Sequence, residues 1–226
     1  MTLHILATGT SRGIGAAIAS AFAGDDVRLV GHATRAADAA TIAADLDLPG
    51  AANLLWQDAL ARLDGRIDVL VNNAGIFEAA PIDLADADWD AAWERTMRID
   101  LTAAAQLCRH AVRHFRTHGG GRIVNVASRA AYRGDSPAHW HYAAAKAGLV
   151  GLTKTIARGY AQDGVFAFAV CPGFVETGRP GNVADIPLGR VAAPDEVASA
   201  VRYLALDAPP SMTGASIDIN GASFVR

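Results

Sequence analysis

The sequence predicts an α/β fold, a doubly wound and mostly parallel sheet of about seven strands with helices on both faces. Three observations predict it. Apolar runs of strand length alternate with longer helical patterns along the chain, as parallel strands joined by helical crossovers require. A glycine-rich turn, Thr8-Gly9-Thr10-Ser11-Arg12-Gly13-Ile14-Gly15, directly follows the first strand run and directly precedes the first helical pattern. No internal repeat, low-complexity tail or Pro/Ser-rich linker offers a boundary, so residues 1–226 read as a single domain.

Taken in order, Leu3–Ala7 is the first strand and Ile14–Ala23 the helix after the glycine turn. Val27–Gly31 and Thr41–Ala44 are short aliphatic runs read as the second and third strands, and Leu54–Leu63 is the next helix. Only about nine residues separate those two strands, where a parallel crossover normally needs a dozen or more. Either the crossover helix is reduced to a turn or two, or the third strand lies elsewhere. Val69–Asn72 is the fourth strand. An apolar stripe through Leu101, Ala104, Cys108, Val112 and Phe115 makes Asp86–His118 a long, bent helix, stopped by Gly119, Gly120 and Gly121. Gly121–Val126, Val165–Val170 and Ser216–Ile219 complete the strands. His141–Asp163 and Pro194–Leu206 complete the helices, the last opened by Pro194-Asp195-Glu196.

Composition narrows the function classes. With 20 basic and 23 acidic side chains the formal charge is -3, so nothing draws the chain to nucleic acid or an anionic membrane. Cys108 and Cys171, the two cysteines, make no disulfide framework and suit a reducing compartment. No apolar run approaches the ~18 residues of a membrane span, and the N-terminus lacks the charged and apolar regions of a signal peptide. The chain reads as a cytoplasmic globular protein. His110, His114 and His118 share a metal-ligand spacing, but they flank the apolar stripe among Arg109, Arg113 and Arg116 and read as a solvated or intersubunit face; no metal site is expected. Cys108 sits in the stripe as core.

In the glycine turn, Gly9 permits a tight bend, Gly13 lets a pyrophosphate approach the backbone and Gly15 lets helix pack on strand. The helix N-terminus then presents unpaired N–H groups and a partial positive charge to phosphates. Four further stretches come in order: Asn72-Asn73-Ala74-Gly75 after the fourth strand, Ser128 at the end of the fifth, Tyr142 and Lys146 four apart in one helix, and Cys171-Pro172-Gly173-Phe174-Val175-Glu176-Thr177 after the sixth. Together with the turn, and with Ile186–Arg190 and the Thr213–Gly221 ending, they resemble the short-chain dehydrogenase/reductase (SDR) family over essentially the whole chain.

That resemblance implies a Rossmann-type fold and an oxidoreductase that interconverts a carbonyl and a secondary alcohol by hydride exchange with a nicotinamide dinucleotide, one option being a 3-oxoacyl-carrier-protein reductase-like role. Tyr142 is then the acid/base, Ser128 the hydrogen-bond donor to the reacting oxygen, and Lys146 the residue that holds the nicotinamide ribose. The i, i+4 spacing puts Tyr142 and Lys146 on one helix face. A phenol titrates near 10, and a nearby ammonium is expected to lower it into a useful range. Asp100 stands where the family usually has asparagine, whose backbone carbonyl helps to link the lysine to solvent. A backbone role survives the change, while the added carboxylate is expected to hold Lys146 as a cation and weaken its pull on Tyr142.

The cofactor-binding set implied is Gly9, Ser11, Arg12, Gly13, Ile14, Gly15, His32, Arg35, Asp45, Asn72, Ala74, Gly75, Tyr142, Lys146, Pro172, Gly173, Val175 and Thr177. The end of the second strand reads Gly31-His32-Ala33-Thr34-Arg35, with no carboxylate in the place where one would bind the ribose 2′-OH of NAD. Arg12, His32 and Arg35 are candidates for a 2′-phosphate, which favours NADP(H) over NAD(H); Arg12 and Arg35 also read as solvated surface charges. Asp45 matches a position that touches adenine, or caps the following helix. Asn72, Ala74 and Gly75 border the adenine ribose, and Pro172, Gly173, Val175 and Thr177 the carboxamide. Phe77, His139, Trp140 and Phe174 are substrate-pocket candidates, with His141 beside them. A short lid, Thr177 to Asp185, predicts an open pocket. The partners implied are a small-molecule or carrier-bound carbonyl or alcohol and further copies of the chain, a dimer or tetramer. A non-catalytic nucleotide-binding sensor or scaffold is the alternative.

Overall fold

Seven strands, β1 (Leu3–Ala7), β2 (Val27–Ala33), β3 (Thr41–Ala43), β4 (Val69–Asn72), β5 (Gly121–Val126), β6 (Val165–Pro172) and β7 (Ser216–Ile219), form one sheet in the order β3-β2-β1-β4-β5-β6-β7, and every neighbouring pair is parallel. The computed structural model describes residues 2–24, 26–35, 40–177 and 183–226. The chain winds outward from β1 to β3, then returns to place β4 on the other side of β1. That reversal opens a crevice beyond the carboxyl ends of β1 and β4, the place where doubly wound sheets bind ligands.

Strand alternation sends neighbouring side chains to opposite faces. Leu6, Val30, Leu70, Ile123 and Val165 pack on one face beneath α2 (Ala51–Arg62) and the helix α4 (Ala103–Phe115). Ile5, Val69, Val71, Val124, Phe168 and Val170 pack on the other beneath α1 (Gly13–Ala21) and α7 (Pro194–Leu206). Each such fully buried aliphatic contributes roughly 1.5–3 kcal/mol of transfer free energy. This two-sided burial explains why the strands read as continuous apolar runs.

The strand positions follow the sequence reading, with β2 two residues longer than expected and β6 likewise. The third strand is real: Gly31, His32 and Ala33 pair with Thr41, Ile42 and Ala43. The β2–β3 connection is therefore the short stretch 34–40, of which 36–39 lie outside the described residues. The expected long bent helix is α3 (Asp86–Met97) and α4 joined by a π-helical turn, Arg98–Thr102. A π turn inserts an extra residue into the helical repeat and so rotates the succeeding helix about its axis; here it turns Asp100 fully inward, at 1% exposure. A four-residue helix, α5 (Ala130–Arg133), was too short to show a period. Helix α6 (Trp140–Tyr160) carries Tyr142 and Lys146 and continues as a 3-10 turn over Ala161–Asp163. Helix α7 begins at Pro194, and the Glu196 carboxylate accepts the Ala193 N–H at 2.7 Å and pairs with Arg190. Among the described residues, no helix is long and apolar enough to cross a membrane.

Candidate active site

The crevice at the reversal point is shaped first by main chain. Gly9 has φ +69°, and a Cβ there would stand 2.8 Å from the Ala74 Cα; a Cβ on Gly15 would overlap the Gly9 carbonyl and stand 2.7 Å from Asn73 Nδ2. Only hydrogen atoms fit at either position. Thr8 and Asn73, neither singled out in the sequence, bind the turn to the end of β4. Thr8 Oγ1 accepts the N–H groups of Asn73 (2.9 Å) and Ala74 (3.0 Å), and Asn73 Nδ2 donates to the carbonyls of Thr8 (3.1 Å) and Gly9 (3.0 Å). Helix α1 then starts after Arg12 with no side-chain cap and no acid in its first turn. Its first N–H groups are left for an anion, so the chain has the donors and the clearance that a dinucleotide pyrophosphate needs.

Ile14, Gly75, Pro172, Gly173, Val175 and Thr177 line the cleft, with the Thr177 methyl opposite Gly13. Ser11, Arg12 and Arg35 are exposed, and neither arginine forms an ion pair with a described residue. Three expectations need correction. His32 is 3% exposed; its Nδ1 accepts the Gly9 N–H at 3.2 Å and its Nε2 donates to the Ala44 carbonyl at 2.8 Å. Burial pushes its pKa down, so it is a neutral clamp between the glycine turn and the end of β3, with no donor left for a phosphate. Asn72 points into the interior, donating to Cys108 Sγ (3.3 Å) and Asn125 Oδ1 (2.8 Å), away from the place of a ribose. Asp45 caps no helix: it accepts the Asp47 N–H at 3.1 Å, exposed on the turn after β3, and α2 starts after Gly50. The lid falls in part on residues 178–182, outside the described residues.

The opposite wall is made of side chains. Ser128 follows β5, and its Oγ accepts the Ala130 N–H at 3.1 Å, leaving its own proton free to donate. Tyr142 and Lys146 face the same cleft from α6, with Lys146 Nζ 5.6 Å from the Tyr142 ring centroid. Lys146 Nζ also donates to the Val126 carbonyl at 3.3 Å and lies 3.2 Å from Asp100 Oδ2. Both charges of that pair are buried, and Asp100 Oδ1 accepts the Ile76 N–H at 2.8 Å. The carboxylate, not only the backbone, of residue 100 therefore belongs to the site.

Burial pushes the Tyr142 phenol above its ordinary value. Lys146 and the Ser128 hydroxyl pull it down, and Asp100 and Asp135 push it further up. The expected net lowering by Lys146 is thus overturned: the desolvation of Tyr142 outweighs the pull of the Lys146 ammonium, which Asp100 opposes. Burial works against the Lys146 cation, but Asp100 and Tyr142 outweigh it and raise its pKa. Burial likewise raises the Asp100 carboxyl, against the pull of Lys146 and of the Ile76 N–H. Cys108, pushed up to about 12 by burial, is no nucleophile.

Phe77 lines the cleft and meets the Tyr142 ring edge-on at 4.8 Å; Phe174 lines it from the other side. His139 stacks behind Phe77 at 3.9 Å and supports it from outside the lining. Trp140, expected in the pocket, is 52% exposed and packs edge-on against Trp89. As the first residue of α6 it points away from the face that carries Tyr142. His141 is buried, with Nε2 lacking a hydrogen-bond partner. The lining also includes Arg129 and Asp135, which no sequence pattern marked.

The chain is similar to known proteins along most of its length. A family model described as enoyl-(acyl carrier protein) reductase matches residues 9–222. The chain is 42% identical to a cis-4-hydroxycyclohexanecarboxylate dehydrogenase of Sinomonas cyclohexanicum, over 70% of this chain and 66% of that protein. It is 36% identical to a D-threitol dehydrogenase of Mycolicibacterium smegmatis, over 98% of this chain and 92% of that protein. It is 33% identical to a 3-oxoacyl-(acyl-carrier-protein) reductase of Escherichia coli, over 97% and 96%. With its parallel seven-stranded sheet and glycine turn, the chain belongs to the short-chain dehydrogenase/reductase family and is an NAD(P)-dependent oxidoreductase.

Proposed function

We propose that this enzyme reduces a carbonyl to a secondary alcohol with NADPH, Tyr142 being the proton donor, Ser128 the hydrogen-bond donor to the reacting oxygen, and Lys146 the cation that steadies both. The observation that carries the reading is the convergence of these three side chains on one cleft beside the uncapped start of α1. When bound, the dinucleotide supplies the hydride to the carbonyl carbon. A phenol held above its ordinary value is protonated at neutral pH, which suits it to give a proton to an oxygen that is gaining negative charge. The Ser128 hydroxyl, which also pulls the phenol down, donates to that charge where it develops. Lys146, held as a cation by Asp100, keeps a positive field on the phenol as its proton leaves, and it would hold the ribose hydroxyls of a bound cofactor. The reverse reaction uses the same groups with the proton travelling back.

NADP(H) is favoured over NAD(H) because Thr34 and Arg35, with no carboxylate, directly follow β2, while Arg12 and Arg35 stand exposed and unpaired among the described residues. The named relatives divide the substrate choice among a carboxylate-bearing cyclic alcohol, a polyol and a carrier-bound thioester. The family resemblance supports a homo-oligomer built through α3, α4 and α6. Oxidation of NADPH and NADH is to be followed with a panel of ketones. NADPH-linked turnover of at least one member is expected, with NADPH bound more tightly than NADH. A protein that binds NADPH but is inert towards the whole panel would instead be a nucleotide sensor.

A further inference from the structure

Arg129 is the residue after Ser128 and lines the same cleft, a cavity of ≈ 210 Å³, as does Phe174, against whose ring its guanidinium lies. It is only 6% exposed. Its position is fixed from several sides. Its backbone N–H donates to the Pro172 carbonyl at 2.9 Å, and its guanidinium carbon lies 4.4 Å from the Phe174 ring centroid. One guanidinium nitrogen donates to the Ser223 hydroxyl, which in turn donates to the Asn220 carbonyl at 2.7 Å. No carboxylate completes the arrangement: among the described residues Arg129 forms no ion pair. Asp135, which also lines the cleft, and Asp185 attract it from beyond 4 Å, and Arg133 offsets part of that attraction.

Buried arginines are ordinarily paired, because a desolvated charge without a counter-ion is costly. Here one hydroxyl and one aromatic face orient the guanidinium, and its remaining N–H donors have no partner among the described residues. Burial lowers its pKa, as expected for a cation short of compensation. We propose that Arg129 is a specificity-determining residue, and that the substrate is an oxo or hydroxy acid whose carboxylate pairs with Arg129 while its carbonyl or alcohol oxygen meets Ser128 and Tyr142. This deepens, and rests on, the reading of the cleft as a carbonyl reductase site. Arg129 neighbours the reacting serine in sequence, so the carboxylate lies within the same small molecule as the reacting carbonyl.

The test uses the whole protein with NADPH and matched pairs of open-chain and cyclic keto acids and their methyl esters. For the best pair, the acid is expected to exceed the ester in kcat/KM by at least about tenfold, the worth of one charge-assisted hydrogen-bonded pair. Arg129→Gln is expected to bring that ratio close to one, and Arg129→Lys to restore part of it. The ratio does not depend on how much of a variant is folded. Equal use of acid and ester by the wild type, or an unchanged ratio in Arg129→Gln, overturns the proposal and leaves the reductase reading intact. A second measurement separates the two. Cyclohexanecarboxylate, but not cyclohexanecarboxamide, is expected to raise the melting temperature of the wild type with NADPH and not that of Arg129→Gln. Such protection without turnover of any ketone would keep the anion site and end the reductase reading. Absence of protection in the wild type counts against Arg129.

Discussion

The two walls of the cleft are made of different material. The wall from β1 and α1 is main chain: glycines without Cβ clearance, the hydrogen bonds of Thr8 and Asn73, and helix N–H groups with no cap. The wall from β5 and α6 is side chain: Ser128, Tyr142 and Lys146, with Asp100 buried behind them. A wall of backbone tolerates changes in charge but not an added methyl group. A wall of buried charged side chains behaves in the opposite way, because each group sets the protonation of its neighbours.

The largest expected effect tests the first half of that contrast. Gly15→Ala forces a methyl group into the Gly9 carbonyl, and backbone has no rotamer through which to yield. A loss of about 3 kcal/mol, the upper part of the usual range for overpacking, is expected in denaturant unfolding, together with loss of dinucleotide binding. Next comes the support of the second wall. Asn72, Asn125 and Thr153 form a buried chain, with Asn125 Nδ2 donating to Thr153 Oγ1 and Asn72 Nδ2 to Asn125 Oδ1, each at 2.8 Å. This chain ties α6 to β4 and β5. Thr153→Val keeps the shape but orphans the Asn125 donor, and a loss of about 1–3 kcal/mol is expected by the same unfolding measurement.

A change of charge alone gives the next effect. The Asp100 carboxylate opposes ionisation of Tyr142. Removing it in Asp100→Asn lowers the phenol pKa, and reduction needs the protonated phenol. The alkaline limb of kcat/KM for NADPH-linked reduction is therefore expected to move to lower pH in Asp100→Asn. Superimposable profiles for variant and wild type would show that Asp100 does not act on the phenol. The smallest effect is a control on the glycine argument. Gly151, in α6, has nothing within 4 Å of a Cβ and an ordinary helical φ. Gly151→Ala is expected to stabilise the protein by about 0.5–1 kcal/mol in place of costing anything.

The backbone-made wall was the more legible in the sequence. A glycine required by positive φ or by close approach leaves a mark at its own position, and strands covered on both faces leave uninterrupted apolar runs. Tyr142 and Lys146 were legible because one helical turn fixes their mutual placement wherever the helix lies. The illegible features depended on the phase of an element end or on tertiary contact. β2 continues through His32 to Ala33, and that extension turns the His32 ring inward to Gly9 and Ala44. At the end of β4, strand alternation sends Asn72 inside and leaves Asn73 to the cleft, although the two are chemically identical. The π turn that buries Asp100 has no compositional signature, and its consequence for Tyr142 appears only when burial is weighed against Lys146. Arg129 stands in a run of ordinary residues; its lack of a counter-ion is a fact of packing, invisible along the chain.

Proton donation by Tyr142 is tested most directly by Tyr142→Phe, which removes one oxygen from the cleft. NADPH affinity is expected to remain within about twofold, while the single-turnover rate of ketone reduction falls at least about 100-fold, the usual lower bound for losing a general acid. A variant that binds NADPH normally and still reduces ketone within about tenfold of the wild-type rate would contradict it.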